Sequence, residues 1–330
     1  MKIIEPSANI IRHDVSPYEF VERVGRTCYK SEDKITDGSA KKFVHNLIER
    51  NHWAMLEHET LYIATTNTYM SRLLSVFMRC PTALRFFNIT SNDFENVISG
   101  SFRAFHDLLE NYQVEKILNP ILCLLSSNYP EVFGEYPDSY KETLWSGFVQ
   151  EISRDDFIHH YADVNSTISK HLTHTVRFVC DRGVSHELVR HRVASFAQES
   201  TRYCNYSKDK FGNEITVIKP LFFEQWDKDL DNKCETTSYG LWARSCEQSE
   251  IAYFNLLKEG ASPQEARSVL PNSLKTEIIV TATEEEWQHI INLRYIGTTG
   301  APHPQMKQVM SMVVDDLSVE SGGRLKYEAD

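Results

Sequence analysis

The sequence predicts an α/β (α+β) fold in which a largely antiparallel sheet is flanked by helices. Short segments rich in β-branched and aromatic residues, at 61–64, 176–180 and 275–281, are typical of strands. They alternate with segments that have helical spacing of apolar residues and helix-capping signals. Residues 67–172 have mostly helical patterns and contain no catalytic motif. We therefore expect a sheet interrupted by a long helical segment.

Composition and charge are those of a soluble globular protein. The chain has 330 residues, 41% hydrophobic and 25% charged. This length can bury a large core and allows one large domain or two. No apolar run approaches the roughly 18 residues of a membrane span. The N-terminal segment has charges where a signal peptide needs an uninterrupted apolar run. We therefore expect no membrane segment. The net charge of −11 disfavours broad nucleic-acid binding, because such binding needs a basic surface.

The seven cysteines are scattered, odd in number and lack a C-x-x-C pair. This pattern indicates reduced thiols in a cytoplasmic protein rather than a disulfide framework. A metal site is not predicted either. His186 and His191 are five residues apart, about 140° around a helix, whereas two ligands of one metal need i, i+4 spacing.

Capping boxes open three helices, at Ser16, Ser262 and Thr283. The first helix is expected to end near Tyr29 and the third near Arg294. Apolar periodicity predicts further helices over 38–51, 238–258 and 304–318.

Residues 184–203, VSHELVRHRVASFAQESTRY, concentrate arginine and hydroxyl side chains in an acidic chain. An apolar stripe predicts a helix to about Val193, followed by a loop of small and polar residues. Arginines at a helix end that leads into such a loop offer forked donors to phosphate or carboxylate. The alternative is a solvated basic helix end stabilised by the helix dipole. Composition alone does not decide between them.

The order of these residues is more specific than their composition. The triplet Arg190–Arg192 (Arg-His-Arg) is separated by seven residues from Ser200, which Arg202 and Tyr203 follow. This pattern resembles the signature of the flavin-dependent thymidylate synthases. Two further segments agree with the resemblance.

The second segment is NHWAMLEH, which leads into a predicted strand. In it, His52 and His58 flank Glu57. Without the resemblance, a pair of structural histidines would be the simpler interpretation. The segment resembles a family block in which the first histidine lies near the flavin. Carried over, that residue is His52.

The third segment runs from Arg267 to Arg294. On its last helix, Trp287, Ile291 and Arg294 fall at i, i+4 and i+7, so Arg294 is expected on the apolar face. A charge there needs a partner, either a ligand or an internal salt bridge. The segment resembles a family block that would place Arg267 at the nucleotide, His289 by the flavin and Arg294 at the uracil ring.

Three positions depart from the family pattern. Thr283 stands where the family usually has Asn, so a flavin contact by that side chain is in doubt, although both residues cap helices. Gln198 stands where a glutamate is common, and it keeps hydrogen bonding without the charge. The histidine of the family's last block corresponds to His303 only through a shifted alignment of 300–305.

The resemblance implies synthesis of dTMP from dUMP, with carbon from methylenetetrahydrofolate and hydride from NAD(P)H through FAD. It covers roughly 1–66 and 173–318, so that 1–330 would be one domain with 67–172 as a helical insertion. Family members are homotetramers whose active sites form where subunits meet.

The resemblance also implies a role for each site residue. Arg294 is the expected catalytic residue, stabilising charge on the uracil. Flavin binding is expected of His52, Arg190, His191, Arg192, Gln198, His289 and His303. Substrate binding is expected of Glu187, Arg190, Gln198, Ser200, Arg202, Tyr203, Arg267 and Arg294. Tyr203 could stack near the folate or nicotinamide. Because no cysteine attacks the uracil in the family, Cys204 is expected to be a packing residue.

Two other functional classes remain open from the sequence. One is a metal-dependent nucleotide hydrolase that uses the segments rich in His, Glu and Asp. The other is a nucleotide- or RNA-binding module without catalysis that uses the Arg-His-Arg segment. The first would bind a divalent metal and be colourless, and the second would need a basic surface stripe.

Overall fold

The computed structural model describes residues 1–79, 86–91, 95–111, 116–135, 147–161, 167–222 and 237–328. In these ranges the strands are β1 (Lys2–Ile4), β2 (Ser7–Ile11), β3 (Thr60–Thr66), β4 (Phe87–Ser91), β5 (Glu95–Ser101), β6 (Val149–Ile152), β7 (Thr173–Asp181), β8 (Ser195–Gln198), β9 (Thr216–Ile218) and β10 (Lys275–Thr283). The α-helices are α1 (Pro17–Tyr29), α2 (Ser39–Glu49), α3 (Asn67–Arg79), α4 (Phe102–Asn111), α5 (Asn119–Asn128), α6 (Pro130–Phe133), α7 (Arg154–Tyr161), α8 (Ile168–His171), α9 (Arg182–Leu188), α10 (Ser238–Lys258), α11 (Pro263–Ala266), α12 (Glu284–Ile291), α13 (Pro304–Ser311) and α14 (Val314–Glu320).

A four-stranded antiparallel sheet, in the order β2-β7-β10-β8, supports the candidate site. Strand β10 pairs with β7 along its whole length, and β8 pairs with its middle, where Gln198 lies opposite Ile278. Glu199 continues this ladder because its N–H donates to the Glu277 carbonyl at 2.8 Å. The predicted mixed fold with an antiparallel sheet is confirmed.

Helices cover both faces of this sheet, because its strands present apolar side chains to either side. Helix α1 covers one face, where the buried side chains are Phe20, Val24, Cys28, Ala197 and Ile279. Helices α12, α13 and α14 cover the other, where they include Phe178, Ile278, Val280, Trp287, Ile290, Met306, Val309 and Leu317. Burial of each large apolar side chain contributes about 1.5–3 kcal/mol.

A second antiparallel sheet, in the order β4-β5-β3-β6, lies mostly within residues 67–172. The described part of this segment contains helices α3 to α8, as its patterns indicated, but also three strands that the sequence analysis missed. The central residues of β5 are all buried, so this strand lacks the alternation of polar and apolar residues that identifies a strand exposed on one face. The prediction that residues 67–172 form a helical segment was therefore incomplete.

The third sheet is a parallel pair of β1 and β9. Its neighbours include α10, whose Cys246 and Tyr253 are buried in a small separate core. The two N-terminal strands β1 and β2 were not predicted, because each is short and has no strong turn signal around it.

The helix predicted from 184 to about Val193 is shorter than its apolar stripe indicated. Helix α9 ends at Leu188, and the side chains beyond it, Val189 and Val193, are 41% and 72% exposed. Residues Ser195–Gln198 form strand β8 rather than a loop, since the open edge of β10 offers backbone hydrogen-bonding partners there.

The helix predicted over 304–318 is divided into α13 and α14. Val313 lies between these two helices. The break in the helix lets its side chain pack fully buried in the core. The segment after α14 is also docked. Arg324 forms an ion pair with Glu284 at 2.7 Å, and the Lys326 N–H donates to Gln288 Oε1 at 2.7 Å.

The helix starts that carry capping signals were predicted correctly. The capping boxes at Ser16 and Ser262 are both formed, and Thr283 caps α12 by accepting the Glu286 N–H. Each such cap stabilises its helix by about 1 kcal/mol. In the described part of the chain, we find no helix with the length and apolar character needed to cross a membrane.

Candidate functional site

Helix α9, which precedes the Arg-His-Arg triplet, is fixed at its first turn by Asp181. One carboxylate oxygen of Asp181 accepts the Val184 N–H at 2.8 Å, and the other accepts Gln305 Nε2 at 2.6 Å. Burial raises the pKa of Asp181. A Cβ atom at Gly183 would lie 2.9 Å from Asn272 Nδ2, so a larger residue here would displace the end of the Asn272 side chain.

A cleft of about 230 Å³ opens beside this helix start. Its lining is polar and consists of Asp181, Gly183, Val184, Glu187, Asn272, Ser273, His303 and Gln305. The predicted residues Glu187 and His303 therefore border one cleft. Its carboxylates favour neutral or cationic groups over phosphates.

Arg294 is bound by three groups of the protein. Its Nη1 donates to Glu187 Oε2 at 2.7 Å, its Nη2 to the Glu187 carbonyl at 3.1 Å, and its Nε to His191 Nε2 at 3.1 Å. The side chain is 21% exposed. Because the guanidinium has further N–H groups, it keeps donors for a ligand while its orientation is fixed.

The i, i+4, i+7 spacing predicted that Arg294 would lie on the apolar face of the helix. The structure differs, because Arg294 does not continue that face. Helix α12 ends at Ile291, and a turn of π-helix follows over Asn292–Ile296. Its i→i−5 bond joins the Gly297 N–H to the Asn292 carbonyl at 2.9 Å. This turn changes the phase of the helix, so Arg294 reaches Glu187 while Ile291 remains in the core. The internal salt bridge that the sequence left open is present.

His191, the central residue of the triplet, is a buried neutral imidazole. Because Nε2 accepts from Arg294, the ring proton is on Nδ1, which lies 3.3 Å from Glu286 Oε1. Burial, together with the charges of Arg294 and His289, lowers the pKa of His191 to about 4. The ring of His289 lies 5.7 Å away. Burial also raises the pKa of Glu286.

The ligand atoms of His191, Glu286 and His289 all lie within 4.8 Å of one another, so this group could geometrically hold a metal ion. The guanidinium of Arg294 already donates to His191. A metal ion would meet this positive charge at short range, which disfavours metal binding here.

A second group of predicted residues lies at the end of α1. The Tyr29 hydroxyl is 2.6 Å from His52 Nδ1, and the ring of Tyr203 lies 6.0 Å from that of Tyr29. The Ser200 N–H donates to the Cys28 carbonyl at 3.1 Å. Residues that are far apart in sequence are thus joined at one place.

Two exposed arginines lie at the loop from Ser200 to Tyr203, Arg202 within it and Arg267 beside it. The Arg202 N–H donates to Ser200 Oγ at 3.3 Å, and Arg202 lies over the ring of Tyr203 at 5.8 Å. Arg267 donates to Thr201 Oγ1 at 3.3 Å from the other side. Both arginines are exposed and near hydroxyl groups, an arrangement that suits an anion.

Gln198 lies on β8, two residues before Ser200, and faces the first group from within the sheet. Its Nε2 donates to Ser185 Oγ at 2.9 Å and to Thr276 Oγ1 at 3.2 Å, so its side chain faces α9. Between the groups themselves, we find no direct hydrogen bond, ion pair or ring contact among the described residues. Arg190 and Arg192 are exposed beside His191, and His303 is exposed near Phe222.

Cys204 is buried directly after the loop, as expected for a packing residue. Burial, together with the nearby carboxylate of Glu199, raises the pKa of the thiol to about 12. The thiol is therefore protonated at neutral pH and is a poor nucleophile.

The sequence analysis missed three contributors to this region. They are Tyr29, which binds His52, Glu286, which faces His191, and a buried group of charges that includes Glu199 and Glu277. Glu277 had a visible signal, because an acidic residue inside an apolar strand needs a buried partner. Tyr29 had no local signal in the sequence, because its partner His52 lies in a different element.

A model of the thymidylate synthase complementing protein family matches residues 128–317, more than half of the chain. The chain belongs to this family. The predicted family resemblance is confirmed, and the match includes the Arg-His-Arg triplet and the segment that ends at Arg294.

Several curated relatives are named flavin-dependent thymidylate synthase. The protein from Pyrococcus abyssi is 29% identical over 161 residues, which are 47% of this chain and 62% of that protein. The one from Sulfurisphaera tokodaii is 30% identical over 161 residues, 48% of this chain and 54% of that protein. The chain thus covers less than two thirds of the length of these relatives.

Among solved structures, the chain is similar to the UMP/dUMP methylase PolB from Streptomyces cacaoi bound with 5-Br dUMP. The alignment covers 97% of this chain and 93% of that one, with 13% identity and a TM-score of 0.39. The family assignment rests on the sequence match.

Proposed function

We propose that this protein is a flavin-dependent thymidylate synthase that makes dTMP from dUMP. In the reaction a one-carbon unit from methylenetetrahydrofolate bonds to C5 of dUMP, the C5 proton leaves, and one hydride completes the methyl group. Family membership and the names of the relatives support this proposal. The single observation on which it depends is the Arg-His-Arg triplet beside a fixed Arg294.

Exposed arginines support binding of an anionic nucleotide. Arg202 lies within the Ser200–Tyr203 loop with its guanidinium over the Tyr203 ring, and the guanidinium of Arg267 donates to Thr201 Oγ1 of the same loop. We propose that they bind the dUMP phosphate with Ser200, and that Arg190 and Gln198 contribute to the same nucleotide. Forked guanidinium donors match phosphate oxygens in geometry and charge.

The donor set around His191 fits a flavin dinucleotide. Arg190 and Arg192 are exposed and have no side-chain partner among the described residues, so they suit a pyrophosphate. His191 is neutral, and His289 and His303 add ring donors or acceptors. His52, in the group at the end of α1, is also proposed to bind the flavin. When bound, FAD would supply the redox chemistry, with hydride from NAD(P)H.

Arg294 is proposed as the catalytic residue. Its guanidinium is held by Glu187 and His191 and retains donors toward solvent. Placed at one edge of the uracil ring, these donors would stabilise negative charge that develops there during attack by C5. Because their orientation is fixed beforehand, little reorganisation is needed at the transition state. Tyr203, exposed at the loop, is proposed to stack on the folate or nicotinamide.

We further propose that 1–330 acts as one domain in which 67–172 is an insertion, and that the protein is a cytoplasmic homotetramer. Among the described residues the two groups of site residues make no direct contact with each other, and we propose that neighbouring subunits complete the active site. Size-exclusion chromatography with light scattering measures the oligomeric state, and a monomer that is active would contradict this part.

The decisive test is the visible absorption spectrum of the purified protein, followed by titration with FAD. We expect a yellow protein, or stoichiometric FAD uptake seen as quenching of flavin fluorescence. Formation of dTMP from dUMP should then require methylenetetrahydrofolate and NAD(P)H. A colourless protein that binds no added FAD would exclude the flavoenzyme.

The same preparation distinguishes a metal-dependent hydrolase, for which the group of His191, Glu286 and His289 is the relevant observation. A hydrolase would lose its activity with a chelator, whereas we expect dTMP formation to be unaffected. Elemental analysis that found one tightly bound divalent metal per chain would favour the hydrolase.

A further inference from the structure

Four charged side chains lie buried or nearly so between the end of α1 and strand β10. Lys275 Nζ is 2.8 Å from Glu199 Oε2 and 2.5 Å from Glu277 Oε1. Lys30 Nζ is 2.7 Å from Glu277 Oε1. Both carboxylates are buried, and Arg177 also binds Glu277. Burial of this many charges is costly unless they are paired, so each member of the group depends on the others.

The charges in this group compensate one another. Burial alone would raise the pKa of Glu277, but the neighbouring ammonium groups of Lys275 and Lys30 lower it to about 2. Burial alone would lower the pKa of Lys275, but Glu199 and Glu277 raise it. Lys275 and Glu277 are therefore both ionised at neutral pH, and loss of Lys275 removes a compensating charge from both buried carboxylates.

The group joins two pieces of backbone that lead to the proposed site. Lys30 is the left-handed residue that ends α1, with φ of 48°, and it directly follows Tyr29. Glu199 directly precedes Ser200, whose N–H donates to the Cys28 carbonyl. Lys275 bridges Glu199 to Glu277, so it connects the start of the loop to the middle strand of the sheet.

We propose that Lys275 and Glu199 are positioning residues for the nucleotide-binding loop Ser200–Tyr203. Their ion pair fixes the backbone at Ser200, and thereby the direction in which Ser200 and Arg202 meet the phosphate. This inference rests on the proposed function, because it names what holds the dUMP-binding loop in place. Neither side chain contacts the substrate.

The test is a double-mutant cycle on dUMP affinity, measured with the FAD-loaded protein by isothermal titration calorimetry. The variants are Lys275→Met, Glu199→Gln and their combination. Each single variant should weaken dUMP binding about tenfold, which corresponds to 1.4 kcal/mol. The effect of the double variant should be smaller than the sum of the two single effects, because both changes remove the Lys275–Glu199 pair, although Lys275→Met also removes the contact with Glu277. Lys275→Arg should restore most of the affinity.

Steady-state kinetics separates positioning from catalysis. We expect KM for dUMP to rise in Lys275→Met about as much as the dissociation constant, while kcat at saturating dUMP stays within about threefold of wild type. The affinity for FAD should change less than the affinity for dUMP.

Arg26→Met is the matched control. Arg26 pairs with the buried Glu22 at 2.6 Å on the same helix α1, but toward α2 rather than the loop. This variant should lose stability and leave dUMP affinity within about twofold of wild type. If it weakens dUMP binding as much as Lys275→Met does, the effect is general destabilisation and the proposal is wrong.

Other outcomes are equally decisive. Normal dUMP affinity in Lys275→Met, or fully additive effects in the cycle, would overturn the positioning role. If Lys275→Met does not fold, the near-isosteric Glu199→Gln provides the same measurement. A wild-type protein that binds neither FAD nor dUMP would instead contradict the proposed function itself.

Discussion

Glu187 holds Arg294 twice, through its carboxylate at 2.7 Å and through its backbone carbonyl at 3.1 Å. The two contacts approach the guanidinium from one residue at the end of α9, and His191 adds a third from the adjacent turn. A forked cation held in this way cannot rotate freely. Arg294 is therefore preorganised before any ligand binds.

The first prediction tests Arg294 itself. Arg294→Ala should lower kcat for dTMP formation by about 10²–10³, the range for loss of one charge-stabilising donor. Arg294→Lys keeps the charge but loses the planar fork, so it should recover activity only in part. FAD content, measured from the absorption spectrum, should stay near that of wild type. Unfolding or flavin loss with normal dUMP binding would make Arg294 structural.

The second prediction concerns Glu187, which binds Arg294. Glu187→Gln keeps an acceptor oxygen for Nη1 of Arg294, so kcat should fall less than about tenfold. Glu187→Ala removes that acceptor, and loss of a hydrogen bond to a charged group corresponds to about 1.5–3 kcal/mol, or roughly 10- to 100-fold. Equal kinetic effects of the two variants would show that the carboxylate group does not orient Arg294.

The third prediction is that Cys204→Ala retains most of its activity. The thiol is buried and its pKa is raised to about 12, so it is protonated at neutral pH. Cys246→Ala, at another buried thiol in a helix, is the control for loss of packing. A fall in kcat of more than about a hundredfold, some 2.7 kcal/mol, in the correctly folded Cys204 variant alone would support covalent catalysis.

The fourth prediction concerns stability against pH. The pKa of His191 is lowered from 6.5 to about 4 in the folded protein, so the unfolded chain takes up a proton first as the pH falls. The contribution of His191 is complete above pH 6.5 and is lost between there and about pH 4, at up to about 1.4 kcal/mol per pH unit. In His191→Asn the free energy of unfolding should depend less on pH in this window.

Urea denaturation of the FAD-free protein at several pH values between about 7 and 5 measures this dependence. Buried His58 and His171, whose pKa values burial lowers to about 3 and about 4, should contribute further pH dependence of the same sign. His45→Asn changes an exposed histidine and is the control. If both variants keep the wild-type slope, His191 does not contribute to the pH dependence.

Local signals in the sequence predicted local structure well. The boxes at Ser16 and Ser262 are formed because the capping side chain and the glutamate three residues later need no distant partner. Strand β10 was also predicted, because its β-branched residues and its length exclude a helix. The apolar stripe through Val189 and Val193 gave a wrong helix end. The helix ends at Leu188, once Val184 and Leu188 are buried.

Long-range pairing was the part that the sequence could not supply. The contacts of Lys30 with Glu277 and of Tyr29 with His52 join residues from different elements, and no spacing rule links them. Arg294 is an intermediate case. The sequence showed that a charge on this helix needs a partner, but only the structure identifies Glu187 and shows the changed helical phase.

The turn of π-helix at Asn292–Ile296 makes chain length, and not only residue identity, a requirement of the site. Successive residues of an α-helix are rotated by about 100°. Deletion of a single residue such as Leu293 would restore regular helical winding and turn Arg294 away from Glu187 by about that angle. Every side chain named in the site would still be present. A variant of this segment that differs by one residue in length should therefore lose the guanidinium contact, whereas many substitutions at the same positions would preserve it.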